Sequence, residues 1–155
     1  MVTLSPMSQT DYERWITATM DEYAGEKVRA GNWPADDAPR RARAEFQQLL
    51  PDGRKTPNNH LLAIVDPEGG ARVGVIWLAI QDQAAGRAFI YDFRIEEPYR
   101  RRGFGLQALR ALEALAPSLG VSQIGLHVFG HNHAARALYE KAGYEVTNVS
   151  MVRKL

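Results

Sequence analysis

Glu97-Pro98-Tyr99-Arg100-Arg101-Arg102-Gly103-Phe104-Gly105-Leu106 joins a β-prone stretch to the start of a helical one, and its reading decides the fold. Upstream, Arg87–Ile95 is rich in aromatic and β-branched residues and predicts a strand. Downstream, leucines at 106, 109, 112 and 115 recur every three residues, which predicts a helix with one apolar face running to about Ala116, with Pro117 beyond it. Between them, Gly103 and Gly105 lack Cβ atoms, so the backbone can turn tightly and bring successive N–H groups close to an anion. The helix N-terminus adds partial positive charge, and three neighbouring arginines add donors suited to phosphate oxygens. The junction reads as a pyrophosphate-binding turn or, taken alone, as a tight connection beside a solvated arginine face.

Working outward, Val2–Leu4 predicts a short edge strand. Thr10 with Glu13 resembles a capping box opening a helix over Asp11–Ala30, and a second helix is expected over Asp36–Leu50, capped by Asp36 or Asp37. Leu61–Val65, Arg72–Ile80 and Arg87–Ile95, separated by turn formers, predict an antiparallel meander. After the glycine turn and its helix come a strand at Ser122–Val128, a helix at Asn132–Ala142 stopped by Gly143, and a final strand or pair within Tyr144–Val152. No repeat or low-complexity linker interrupts the order. The expectation is one mixed α/β domain over residues 1–155, with a mostly antiparallel sheet of six or seven strands and about four helices.

Two segments resemble the GCN5-related N-acetyltransferase superfamily. Its coenzyme-binding motif has the form Arg/Gln-x-x-Gly-x-Gly/Ala, and here Arg100-x-x-Gly103-x-Gly105 fills every defined position. About thirty residues on, Leu126-His127-Val128-Phe129-Gly130-His131-Asn132-His133-Ala134-Ala135-Arg136-Ala137-Leu138-Tyr139-Glu140-Lys141-Ala142-Gly143-Tyr144 is similar to the family's Asn-x-x-Ala and Leu-Tyr-Glu-Lys-x-Gly-Phe/Tyr signature. The resemblance implies acetyl-coenzyme A as cofactor and direct transfer of the acetyl group to an amine. It also implies that Phe93 and Ile95, on a strand splayed from its neighbour, hold the pantetheine arm and acetyl carbonyl. The Ile95 N–H falls where the oxyanion donor stands. Arg100, Arg101, Arg102, Gly103, Phe104, Gly105 and Leu106 fall on the diphosphate, Asn132 and Ala135 beside the pantetheine, and Tyr139 on the leaving-group acid. Asn132 is equally a good helix N-cap, and Tyr139 can be a packed helix tyrosine.

The general base stays open between two residues. Asp92 lies on the cofactor strand; His127, on the next, has an unperturbed pKa of about 6.5 against about 3.9 for aspartate. His131 and His133 flank Asn132, but without cysteines or a well-spaced carboxylate they make a poor metal site, and no metal is expected.

Charge narrows the function classes. Lys+Arg 19 against Asp+Glu 18 gives a net charge of +1, too balanced for the basic footprint of nucleic-acid binding. The absence of cysteine rules out disulfides and an acyl-cysteine intermediate. No apolar run approaches the length of a membrane span, and the acid-bearing first thirty residues do not resemble a signal peptide, so a cytoplasmic protein with no membrane partner is expected. Before Pro98 the chain carries 15 acids and 11 bases; from Pro98 on it carries 3 and 8. That asymmetry suits a phosphate-rich cofactor on one side and a cationic amine on the other. The family resemblance implies that the first two helices and their connection roof the acceptor site, which makes Tyr23, Trp33 and the acids between Asp21 and Asp37 the pocket candidates. Two other classes compete: an acyl-coenzyme A sensor without chemistry, and a dinucleotide-binding protein, since Gly103-x-Gly105-x-x-Ala108 also satisfies that fingerprint. The latter lacks an acidic residue between Glu113 and Glu140 to hold a ribose. An exposed edge strand leaves a homodimer open.

Overall fold

Side chains of successive strand residues point to opposite faces, and here both faces of the sheet are covered. Leu62, Ile64, Val73, Ile76 and Leu78 pack into one core and Leu61, Val75 and Trp77 into another. The computed structural model describes residues 1–155. Its strands are β1 (Thr3–Pro6), β2 (Asn59–Val65), β3 (Arg72–Asp82), β4 (Arg87–Ile95) and β5 (Gln123–Leu126), ordered β1-β2-β3-β4-β5 across the sheet. The first four are antiparallel neighbours, and β5 runs parallel to β4. The helices are α1 (Gln9–Arg29), α2 (Ala38–Leu49), α3 (Phe104–Leu115) and α4 (His133–Lys141). None is long and apolar enough to cross a membrane.

The leucine stripe behaves as its spacing requires. Leu109 and Leu112 are fully buried in the larger core with Phe104 and Ala108, while Leu106 and Leu115 pack at its margin. On the opposite face Tyr12, Trp15 and Phe46 from α1 and α2 close over Leu61, Val75 and Trp77. Trp77, 3% exposed, meets Trp15 edge-on at 5.5 Å and donates from its indole N–H to Asn59 Oδ1 at 2.8 Å, so it is a core residue with its polar atom satisfied.

Three expectations shift. The cap of α1 is Ser8, whose hydroxyl accepts from the Asp11 N–H at 3.1 Å; Thr10 already lies within the helix. Asp37 stands at the N-cap of α2, but its carboxylate takes Arg40 and Arg41 at 2.8 and 2.7 Å instead of the helix amides. Those hydrogen bonds hold its carboxyl down at about 2. The largest change is in strand number, five rather than six or seven. Tyr144–Val152 has strand-forming composition but pairs with no strand of the sheet, and composition alone does not make a strand.

Gly74 marks where β3 and β4 lie too close for a side chain. A Cβ there would stand 2.2 Å from the Arg94 carbonyl oxygen and 3.1 Å from Ile64 Cδ1 and Ile95 Cδ1. Gly74→Ala must therefore push β4 away, and it is expected to cost about 1–3 kcal/mol or more in a denaturant titration. An unchanged midpoint would show that the strand pair yields freely.

Candidate active site

Two features of β4 build the site. The first is a bulge. Trp77 faces Asp92 but Leu78 faces Ile90, so Tyr91 is the extra residue between them. Ala88 and Ile90 point into the larger core; past the bulge that role passes to Phe93 and Ile95. Asp92 and Arg94 consequently turn toward α1 and α2, where they line a cavity of about 350 Å³. Without the extra residue both charges would enter the apolar core, where unpaired charge is strongly disfavoured.

The second feature is a split. β5 stays in register with β4 only from Arg87↔Gln123 to Ile90↔Leu126, after which β4 continues to Ile95 paired with β3 alone. The backbone edge of residues 91–95 thus opens beside the Tyr91 bulge, and the Glu97–Tyr99 turn leads directly from it to the α3 N-terminus.

That N-terminus has no side-chain cap. Gly103 holds the N-cap position with φ 83°, a left-handed conformation that glycine adopts at little cost. Arg101 is also left-handed at φ 60°, unusual for a residue with a side chain and a local strain within the turn. None of the three arginines forms an ion pair with a carboxylate. Arg100 Nε donates to the Ile95 carbonyl at 2.8 Å, tying the turn to the end of β4, and the Arg102 guanidinium lies 5.3 Å from the Phe104 ring centroid and 5.9 Å from that of Tyr99. Uncapped helix amides, unneutralised arginines and a glycine whose Cβ position is met only by Gln107 Nε2 at 3.9 Å fit a diphosphate. Gly105 serves a different end from the tight turn expected of it: a Cβ there would meet Leu138 Cδ2 of α4 at 3.0 Å, so its bareness lets α3 and α4 approach. Phe104 is buried in the core, and Leu106 is half-buried at its edge.

α4 frames the open side of the split. Asn132 caps it, its side-chain oxygen accepting the Ala135 N–H at 3.2 Å, so both residues are engaged in starting the helix. Tyr139 projects back toward β4, with its ring 6.2 Å from Phe93 and 5.8 Å from Tyr144. Burial raises the Tyr139 phenol above its ordinary value, and the negative charge of Asp92 adds to the rise. The structure therefore brings Tyr139, Asp92 and Phe93 together at the split.

Asp92 is 17% exposed at its side chain. Trp15 Nε1 donates to its Oδ2 at 2.8 Å, and Arg94 stands 3.8 Å from Oδ1 while also bonding Glu22 at 2.7 Å. Burial raises the Asp92 carboxyl above its ordinary 3.8, against the opposing pull of Trp15 and Arg94. The other base candidate lies elsewhere: His127 is exposed just beyond β5, edge-on to Phe129 at 5.2 Å, and Phe129 stacks on His131 at 5.5 Å.

Glu22, Glu26, Glu45 and Asp92 give the cavity four carboxylates against the single cation Arg94, with Tyr23, Phe46, Trp77 and Tyr91 as aromatic walls. Tyr23 donates its hydroxyl to Glu45 at 2.5 Å; burial, with Glu45 second, pushes the Tyr23 phenol up to about 12. Tyr23 and two acids of α1 were legible candidates. Glu45 and Phe46 of α2 were not, because only the α1–α2 packing brings them to the same cavity. Trp33 packs behind the cavity, edge-on to Tyr23 at 5.6 Å.

The acetyltransferase (GNAT) family model matches residues 15–144. The chain is 42% identical over 155 residues to the uncharacterized N-acetyltransferase YycN of Bacillus subtilis (strain 168), covering 99% of both chains. It is 31% identical over 154 residues to the uncharacterized N-acetyltransferase YdgE of the same organism, covering 99% of this chain and 98% of the other. The crystal structure of YycN, a putative acetyltransferase, superposes with a TM-score of 0.87 at 41% identity, covering 100% of this chain and 99% of that one.

Proposed function

Because the chain belongs to the GNAT family of N-acetyltransferases, we propose that it moves the acetyl group of acetyl-coenzyme A directly onto a cationic amine held between α1, α2 and β4. The observation that carries this reading is the placement of the acidic, aromatic cavity on the same few residues of β4 whose backbone edge opens toward the α3 N-terminus. The Gly103 turn, the first amides of α3 and Arg101 would hold the diphosphate, with Arg100 and Arg102 shaping the turn around it. Phe93 and Ile95 would offer backbone groups to the pantetheine arm and to the acetyl oxygen. When bound, the cofactor supplies an acetyl group activated as a thioester.

The chain's own groups supply the rest. The carboxylates attract an ammonium ion, and the aromatic walls favour it by cation–π contact. Asp92, its pKa raised toward the working range, takes the proton that the amine nitrogen must lose, directly or through a water. Tyr139, which burial keeps protonated at neutral pH, gives its proton to the departing sulfur. His127, exposed beyond β5, is left out of this scheme.

Free-thiol release with acetyl-coenzyme A and a panel of amines tests the proposal. Amines carrying a second positive charge are expected to turn over at lower KM than neutral or carboxylated ones, and Glu45→Gln should raise KM for the cationic amines about tenfold, the order of one lost charge-assisted contact. Turnover confined to anionic amines would overturn the assignment of the acceptor. At the cofactor end, Gly103→Ala forces a side chain into the left-handed region, at about 1–2 kcal/mol. Calorimetric titration with coenzyme A should show weakened affinity; unchanged affinity would remove the turn from the diphosphate site.

A further inference from the structure

Asp92 has two carboxylate oxygens, and the fold treats them unequally. Trp15 Nε1 donates to Oδ2 at 2.8 Å, the one side-chain hydrogen bond that Asp92 receives. Oδ1 has no such donor: Arg94 stands 3.8 Å from it, outside hydrogen-bond distance, with its guanidinium held on Glu22 at 2.7 Å. Trp15 is 5% exposed and lies between two other rings, tilted against Tyr12 at 5.9 Å and edge-on to Trp77 at 5.5 Å. A close-packed ring cannot follow a moving carboxylate, so the carboxylate takes its orientation from the ring.

An indole nitrogen donates and cannot accept. A proton on Oδ2 would therefore face the Trp15 N–H hydrogen to hydrogen and forfeit the bond, whereas a proton on Oδ1 leaves it intact. We propose that Trp15 is a positioning residue: it pins Oδ2 so that Oδ1 faces the acceptor amine and is the atom that takes its proton. This role rests on Asp92 being the base. In that step an N–H bond of the ammonium breaks and an O–H bond forms at Oδ1, while the nitrogen keeps the electron pair with which it attacks the thioester carbonyl. The helix that carries Trp15 also lines the cavity through Glu22, Tyr23 and Glu26, so α1 holds the acceptor and aims the base together.

Donation by an N–H favours the ionised carboxylate, so Trp15 also opposes the rise that burial causes. The titratable and charged groups around Asp92 are Glu22, Tyr23 and Glu26 of α1, Glu45 of α2, Tyr91 and Arg94 of β4, and Tyr139 of α4; Trp77, its neighbour on β3, carries no charge. Trp15→Phe leaves all of them in place and removes the donor.

The acid limb of kcat/KM in Trp15→Phe is expected to move to higher pH, and the kcat plateau above it to fall at least about tenfold. Replacing Trp15 by 3-benzothienylalanine, whose sulfur stands where the indole N–H was, keeps the bicyclic bulk and should give the same two changes in a stably folded chain. Met7→Ala removes buried bulk from the same core and should lower the melting temperature while moving neither. In the wild-type chain the Trp15 indole resonance should titrate together with the acid limb in nitrogen–proton NMR. A limb and plateau unmoved in both position-15 variants would overturn the proposal, as would changes that Met7→Ala reproduces. Asp92→Asn separates this role from the reading beneath it. If that variant keeps the limb, the base assignment fails and the positioning role with it; if it loses the limb while the position-15 variants change nothing, the base stands and the role of Trp15 alone fails.

Discussion

Tyr139→Phe is expected to lower kcat by about 10²–10⁴-fold, the usual contribution of a positioned general acid, while leaving coenzyme A affinity unchanged. The substitution is clean because it removes one oxygen and keeps the ring, whose contacts with Phe93 at 6.2 Å and Tyr144 at 5.8 Å hold α4 against the split in the sheet. Burial, with Asp92 as the second cause, keeps the phenol protonated. The proton is therefore present at neutral pH and is released only where negative charge develops beside it. Single-turnover measurements of thiol release, with coenzyme A affinity measured separately by calorimetry, separate chemistry from binding. Equal losses in both would reassign Tyr139 to packing, and an unchanged kcat would leave the departing sulfur to take its proton from water.

Much of this arrangement was legible in the residues. The leucine stripe and the β4 limits at Arg87 and Ile95 stand as read, and Gly103 turns the chain into α3, because each depends on local rules: a 3.6-residue period, strand-forming composition, turn chemistry. The bulge was also written there, though unread. Along β4 the core-facing residues are even-numbered through Ala88 and Ile90 and odd-numbered at Phe93 and Ile95, and the change of phase at Tyr91 is what a single inserted residue produces. That phase change decides whether Asp92 points into an apolar core or into the acceptor cavity. Other features depend on tertiary contacts that no local pattern encodes. Gly105 reads as a phosphate-turn glycine, but its absent side chain makes room for Leu138, thirty-three positions on. Glu45 joins Tyr23 only because α1 and α2 pack side by side. Tyr144–Val152 fails as a strand for the complementary reason: its composition is right, but composition does not decide whether a segment reaches an edge of the sheet.

Asp92→Asn is expected to abolish most turnover and, at neutral pH, to raise the melting temperature. The two effects have one origin. Burial raises the folded-state pKa of Asp92 above its ordinary 3.8, although the Trp15 N–H and the Arg94 charge pull it down. A carboxyl whose pKa is raised by folding binds its proton more tightly in the folded chain. The stability this contributes is complete below the unfolded-state value and is lost as the pH climbs through the folded-state value. At pH 7 the wild-type chain has lost it and holds a charge its surroundings disfavour. Asparagine stays neutral throughout, and its side-chain oxygen can still accept from Trp15, which at 2.8 Å is the closest contact Asp92 makes. The melting-temperature gap should therefore be widest near neutrality and close as both chains are taken below about pH 3.9, where the wild-type carboxyl is protonated in either state. The rate should mirror it. Wild-type kcat/KM rises with pH as Asp92 deprotonates through its raised pKa, and the variant should lack that limb and fall by about 10²–10⁴-fold. A variant that melts lower at neutral pH, with a gap that persists in acid, would show that the ion pair to Arg94 outweighs burial. Asp92 would then be a structural anchor for α1, and the base would have to be sought among the other carboxylates of the cavity.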